Sequence, residues 1–147
     1  MFLLITPSFL LQASVIGVLQ LSASLISICY NYQSAVRNAS KDMKLVCLQL
    51  VNLHAALDQL AAMVEDDKIG AGHLQKLASL INKPDGPLSD LKTQLEVLEK
   101  RLKPALGWES KWQALTWPLR EPETKKALAN LVRTKAAIDF ALSVAQT

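Results

Sequence analysis

Apolar side chains recur at intervals of three and four residues along most of this chain, which is the spacing of one face of an α-helix. No segment shows the strict alternation of apolar and polar residues that a half-buried strand would have. The pattern predicts helices over residues 8–36, 41–65, 71–82, 88–102 and 121–145. We therefore expect an all-α fold, an up-and-down bundle of four to five helices.

Residues that start or stop helices divide the chain at the same places. Pro7 stands where the first helix should begin, and Ser40 is a suitable N-cap for the second. The run 83–87 (Lys-Pro-Asp-Gly-Pro) is the strongest turn signal in the chain, and Pro104 and Pro122 bracket the segment before the last helix. The connections are short, so neighbouring helices should be antiparallel.

Two leucine-rich lines are expected to face the core. One has alternating spacings of three and four, as one buried helix face does, and comprises Leu88, Leu91, Leu95, Leu98 and Leu102. The other, in the last helix, comprises Leu128, Leu131, Ile138 and Leu142. Lys135 falls on this second line, and we expect its amine to reach solvent while its stem stays against apolar surface.

The first 36 residues contain no Asp, Glu, Lys or Arg, and every such residue lies from Arg37 onward. A helix over 8–36 would be roughly 40 Å long, which suffices to cross a bilayer core. Its serine, glutamine and asparagine residues would make insertion marginal. Small and weakly polar side chains share one face, where another helix could approach closely, and this predicted helix-packing stripe comprises Ala13, Gly17, Gln20, Ser24 and Ser27.

Four interpretations of this neutral segment are open. It could be the buried first helix of a soluble bundle, or a helix that is buried in one state and inserted in a membrane in another. A signal peptide is disfavoured because no positive residue precedes the apolar run, which also continues past the small residues at 21–24. A constitutive transmembrane helix would have little charge in front of it to set its orientation.

Length and composition indicate the size of the domain and its net charge. The chain has 147 residues, half of them hydrophobic, which is enough for a single domain with a core: the neutral helix over 1–36 and the rest of the bundle over 37–147. The net charge of +3 is too small to argue for nucleic acid but suits an anionic membrane surface. Basic residues that could assist there, or simply form a solvated face, are Lys41, Lys44, Lys100, Arg101 and Lys103.

No motif indicates catalysis, a metal or a cofactor. His54 and His73 are far apart and accompany no Cys-x-x-Cys, so a metal site is not expected. His54 lies on an apolar face, where a core-edge histidine with one hydrogen bond is typical. Cys29 and Cys47 would lie at similar heights in a hairpin turning near Asn38, yet packed helix axes are about 8–10 Å apart, so we expect two reduced, buried thiols. We predict that the protein is not an enzyme.

The segment 105–120 carries all three tryptophans, Trp108, Trp112 and Trp117. They could form either an interfacial belt or part of the core, and the core is the better hypothesis because a short kinked element needs anchoring. Trp112, Trp117 and Pro118 are therefore predicted structural residues.

Two parts of the sequence resemble a known family. The tail 111–120 (Lys-Trp-Gln-Ala-Leu-Thr-Trp-Pro-Leu-Arg) continues through Glu121, Glu123, Lys126 and Leu131 to the pair 141–142. The opening is a neutral helix that ends in 29–32 (Cys-Tyr-Asn-Tyr) and 36–39 (Val-Arg-Asn-Ala), followed by a leucine-rich helix. Both resemble the N-terminal HeLo-like domain of fungal NOD-like receptors and related STAND proteins, over roughly 10–145.

The resemblance implies a helical bundle that induces programmed cell death at membranes, in fungal innate immunity or heterokaryon incompatibility. It also implies similarity to the four-helix bundle of the mixed-lineage kinase-like pseudokinase and to coiled-coil domains of plant immune receptors. The expected partners are membrane lipids, including anionic lipids, further copies of the chain, and a sensor or receptor module in the same or another chain. No nucleic acid partner and no cofactor are expected.

By the same resemblance the chain would be cytoplasmic and would move to the plasma membrane when oligomerisation activates it. The implied membrane-inserting residues are Phe2, Leu3, Leu4, Ile5, Phe9, Leu10, Leu11, Val15, Ile16, Val18, Leu19, Leu21, Leu25 and Ile26. The alternative is a soluble helical adaptor domain of a signalling receptor, in which the first helix never leaves the core.

Overall fold

The computed structural model describes residues 7–35, 41–65, 71–81, 86–102 and 119–146. These residues form five helices, and none of them is in a strand. The helices are α1 (Pro7–Ala35), α2 (Lys41–Glu65), α3 (Ala71–Ile81), α4 (Pro87–Leu102) and α5 (Glu121–Gln146). The predicted all-α helical bundle is confirmed.

Local chemistry explains where the helices begin. Pro7 and Pro87 are the first residues of α1 and α4, where the missing N–H of proline costs no hydrogen bond. At the start of α5 the Arg120 N–H donates to Glu123 Oε1 at 3.2 Å, and the Arg120 carbonyl accepts from the Thr124 N–H at 2.9 Å. The carboxylate thus reaches back to the residue before the helix, as in a capping box.

Helices α1 and α5 each pack on α3 and α4 as well, and both pack most extensively on α2. Buried residues recur along the whole length of α2, and they are Met43, Val46, Cys47, Leu50, Leu53, Ala56, Leu57, Leu60 and Val64. Helix α4 packs on α1 and α5. Its five predicted core leucines are all buried, which confirms that prediction.

The buried line of α5 is shifted slightly from the sequence expectation. Leu131, Ile138 and Leu142 are buried and Leu128 is half-buried. At the level of Lys135 the core position is taken by its neighbour Thr134, whose hydroxyl donates to Gln94 Oε1 at 3.4 Å. The Lys135 side chain is 29% exposed, and its Nζ ends 2.7 Å from Asp139 Oδ2. A neighbouring threonine therefore lets the lysine lie beside the core with its amine paired.

The predictions for Trp108, Trp112, Trp117 and Pro118 fall outside the described residues.

Candidate functional site

Most large apolar side chains of the neutral helix α1 are inside the bundle. Among the residues expected to insert, Leu11, Val15, Val18 and Leu25 are buried. Leu19, Leu21 and Ile26 are half-buried against the core, and Ile16 is 41% exposed. Phe9 and Leu10 belong to the opening of α1, and Phe2, Leu3, Leu4 and Ile5 lie outside the described residues. In this state α1 is a docked helix.

The predicted small-residue stripe faces solvent. Its five members are Ala13, Gly17, Gln20, Ser24 and Ser27, and each is exposed. A Cβ placed on Gly17 would meet no atom within 4 Å, so no described helix approaches closely there. The stripe is not a close packing surface in the described bundle, although its Ser24 hydroxyl donates to Glu99 of α4.

The outer surface of α1 is as free of charge as its buried face. Its exposed residues beyond the stripe include Ala23, Tyr30 and Ser34, and the helix contains no Asp, Glu, Lys or Arg. Helices on the surface of soluble proteins normally place charged and polar residues opposite their apolar stripe. A helix without a charged face is more typical of a buried element or a membrane span.

Near its middle, α1 is tied to α2 by a hydrogen bond in an otherwise apolar contact. Ser22 is fully buried, and its Oγ lies 2.8 Å from His54 Nδ1. The Ser22 hydroxyl donates its hydrogen to the Leu19 carbonyl at 2.8 Å, so His54 Nδ1 must be the donor in the Ser–His bond. The expectation that His54 is a core-edge histidine with a hydrogen bond is confirmed.

This pair is not arranged as an activated nucleophile. A catalytic serine needs a base that accepts its proton and a hydroxyl that substrate can reach. Ser22 meets neither condition here, because its proton points to Leu19 and its side chain has no exposed surface. The Ser22–His54 bond instead fixes the register between α1 and α2.

The two cysteines mark the same interface nearer the α1–α2 connection. Cys29 and Cys47 are both free and buried, as expected, and the neighbouring Cys47 thiol, together with burial, raises the pKa of Cys29. Cys29 and Cys47 are equally distant from Asn38 in the sequence, and so are Ser22 and His54. A hairpin turning at Asn38 would have predicted the Ser22–His54 contact, which the search for catalytic motifs missed.

Further hydrogen bonds hold α1 from end to end. Gln12 Nε2 donates to Glu65 Oε1 of α2 at 3.3 Å, and Ser24 Oγ donates to Glu99 Oε2 of α4 at 3.2 Å. The hydroxyl of the buried Tyr32 donates to the carbonyl of Leu102 at 2.6 Å, and Leu102 is the last residue of α4. Because α1 has no charged side chain, none of its contacts is an ion pair.

The contact between α4 and α5 has a different chemistry. Arg101 pairs with Glu123 across the two helices, and this pair lowers the pKa of the Glu123 carboxyl, with help from the Arg120 N–H. Beside the pair is a groove of about 370 Å³, whose lining includes Val97, Leu98 and Leu131. The groove is lined by residues of α4, of α5 and by Leu119, and no motif in the sequence indicated it.

By length and composition, α1 over Leu11–Ser34 and α2 over Lys41–Glu65 could each cross a membrane, as could the core helix of a soluble protein. Within the described ranges no group of three or more His, Cys, Asp or Glu side chains could hold a metal ion. Comparison of the chain with models of protein families, with curated proteins and with solved structures finds no match.

Proposed function

We propose that this chain is a membrane-disrupting, cell-death effector domain of the HeLo-like type, in which several copies assemble and α1 enters the bilayer. The observation that carries the proposal is the neutral outer face of α1. A docked helix whose solvent-facing side bears no charge can exchange water for lipid without burying an ion.

The length and internal bonding of α1 support insertion. The span Leu11–Ser34 has 24 residues, about 36 Å of helix, against a hydrocarbon core of roughly 30 Å. Its polar groups are hydroxyls and amides, which cost far less in lipid than charges. A serine hydroxyl can also bond within its own helix, as Ser22 does to Leu19. The buried apolar side chains of α1 lose protein contacts on release but regain an apolar environment in lipid.

Basic residues follow the span directly. Arg37 comes next in the sequence, and Lys41 and Lys44 are exposed at the start of α2. Near an anionic leaflet each Lys or Arg contributes about 1 kcal/mol of attraction. Leakage should therefore be greater from vesicles that contain anionic lipid, and added salt should weaken this preference.

The test is release of a trapped dye from vesicles of phosphatidylcholine and phosphatidylserine. Two exposed alanines near helix middles provide a matched pair, Ala23 in α1 and Ala136 in α5. An acidic group at the centre of a span costs about 2.5–3.5 kcal/mol, so Ala23→Asp should reduce release about 100-fold. Ala136→Asp carries the same helix-propensity penalty outside the span and should release dye as the natural chain does.

Dye release should rise more steeply than linearly with protein concentration if several copies act together. Circular dichroism and a urea midpoint would confirm that both variants fold. The proposal fails if the natural chain releases no dye from either kind of vesicle, or if folded Ala23→Asp is as active as the natural chain.

One observation favours the soluble adaptor as a second candidate. Val132 and Phe140 are 46% and 63% exposed on α5, with the exposed Ala136 between them at helical spacing. Insertion of α1 makes no use of this apolar strip, which a protein partner could cover. An adaptor would leave vesicles intact at every concentration, which is the opposite outcome of the same assay.

A further inference from the structure

Helix α2 shares the neutral character of α1 to a greater extent than the burial of its inner side requires. Between Lys44 and Glu65 its only Asp, Glu, Lys or Arg is Asp58. Burial explains the apolar residues that face the core, but not those on the outside. Leu48 is 51% exposed, and Ala55 and Ala62 are exposed as well. The charges of α2 thus collect at its two ends, where the headgroups of a bilayer would lie if the helix crossed it.

The polar groups between α1 and α2 are paired with each other. Ser22 and His54 share a hydrogen bond in the middle of the contact, the buried thiols of Cys29 and Cys47 are neighbours, and Gln12 donates to Glu65 at one end. If α1 left alone, His54 and Glu65 would lose these partners, and α2 would expose its apolar side to water. If the two helices left together, each bond would stay intact, as polar groups in lipid require.

The packing of the bundle also favours a joint departure. Freeing α1 alone breaks its packing on α2, α3 and α4. Freeing α1 and α2 together keeps the α1–α2 packing and breaks the α2–α5 packing instead, which is the less extensive of the two. The joint departure therefore disrupts less of the described bundle than the departure of α1 alone.

We propose that α1 and α2 enter the bilayer together as an antiparallel hairpin, with the Ser22–His54 bond carried along intact. This inference rests on the proposed function and enlarges the inserting unit from one helix to two. Asp58 is then the least favourable residue of the unit, because it lies about five residues from the middle of α2, roughly 8 Å along the helix. A carboxylate at that depth opposes insertion.

A first test uses charge at matched exposed positions. Ala55 lies on α2 at nearly the height of Ala23 on α1, because the hairpin pairs Ser22 with His54. In the vesicle assay Ala55→Asp should lower dye release at least tenfold, as Ala23→Asp does. Ala136→Asp on α5 is the control and should change nothing.

A second test has the opposite sign, and a urea midpoint equal to that of the natural chain excludes a loosened fold as its cause. Asp58→Asn removes the carboxylate from the span and should raise dye release severalfold. Glu96→Gln removes one negative charge from an exposed position on α4 and should leave release unchanged. Both variants keep the core as it is.

A third test locates α2 directly. An environment-sensitive dye is attached at Leu48→Cys or at Val97→Cys, two positions exposed to about the same extent, after Cys29 and Cys47 are replaced by alanine. On addition of vesicles the dye at position 48 should shift to apolar emission and be quenched by brominated lipid. The dye at position 97 should stay in water.

The outcomes separate the two proposals. If Ala23→Asp abolishes release while Ala55→Asp and Asp58→Asn behave as the natural chain and the dye at 48 stays in water, α1 inserts alone and the hairpin is overturned. If Ala23→Asp has no effect, the proposed function itself fails. If Ala136→Asp or Glu96→Gln changes release as strongly as the α2 variants do, the effect is one of total charge and the hairpin is again overturned.

Discussion

Helices α1 and α5 are long helices that both pack on α2, yet their outer surfaces differ in charge. The exposed side of α5 carries Glu121, Lys125, Lys126, Arg133 and Asp139. The exposed side of α1 carries no charge. Helix α5 is tied to α4 by the Arg101–Glu123 ion pair, whereas α1 is held by apolar packing and by hydrogen bonds between uncharged groups or to carboxylates.

The comparison shows that burial alone does not distinguish a permanent core helix from one that can leave. Both helices bury a full line of side chains, and both contribute to one continuous core. The difference lies in what each helix would present to a new environment. The charged side chains on the outside of α5 would be costly to transfer from water to lipid. The outside of α1 has no such charges, and α1 is stable in water only while its inner face is covered.

The largest expected effect on the free energy of unfolding comes from truncating one buried leucine in each of the two helices. Leu25 in α1 and Leu131 in α5 are both buried, so Leu25→Ala and Leu131→Ala should each lower the free energy of unfolding by about 2–5 kcal/mol. Urea denaturation measures this loss. A loss well below 1 kcal/mol for Leu25→Ala would mean that α1 is not firmly docked.

Hydrogen exchange of the same two variants measures which of the two helices opens at the lower free energy. In the Leu25→Ala protein the amides of α1 should exchange at a lower free energy than those of α5, because the truncation weakens the packing of α1 itself. If α5 opens first in both variants, the contrast between the two helices is wrong.

An effect of intermediate size is expected from the Ser22–His54 hydrogen bond between α1 and α2. A double-mutant cycle with Ser22→Ala and His54→Ala should give a coupling of about 1 kcal/mol in unfolding free energy, since each single change removes the same hydrogen bond. Ser27→Ala on the exposed face of α1 is the control and should cost little. A coupling near zero would show that the bond does not fix the register of the two helices.

Acid should weaken the attachment of α5 to α4 through one carboxyl group, that of Glu123. The pKa of Glu123 is lowered in the folded protein by Arg101, so the stabilisation it gives is fully present above the ordinary carboxyl pKa. This stabilisation is lost as pH falls through the lowered pKa. The urea midpoint of Glu123→Gln should therefore lie below that of the natural chain at neutral pH, and the two should converge in acid. If the urea midpoint of Glu96→Gln also differed from that of the natural chain at neutral pH and converged with it in acid, the acid-sensitive stabilisation could not be assigned to Glu123.

The smallest effect is expected on the charged surface of α5. The Lys135–Asp139 pair joins residues four apart and is largely solvated, so Asp139→Asn should lower the unfolding free energy by no more than about 0.5 kcal/mol. Thermal melts at low and high salt would measure it. A loss above 1 kcal/mol would mean that the outer charges of α5 stabilise the bundle as well as keeping it in water.

The sequence alone predicted the five helices, with bounds within one or two residues of those observed, because proline, N-cap residues and helical spacing act over a few neighbouring positions. It predicted the buried leucine line of α4 for the same reason, since that helix has one clearly apolar face. It also indicated the neutrality of α1, which is a property of composition.

Only the tertiary structure decided which side of α1 faces the core. The helix has no charged face, so its weakly polar stripe could have been either a packing surface or a solvated one, and packing turned the stripe outward. Packing likewise placed Thr134 rather than Lys135 in the core and brought Ser22 to His54. Contacts of this kind depend on the rotation and register of whole helices against one another. A turn near Asn38 indicates the register of α1 against α2, but the rotation of each helix about its axis is set by packing.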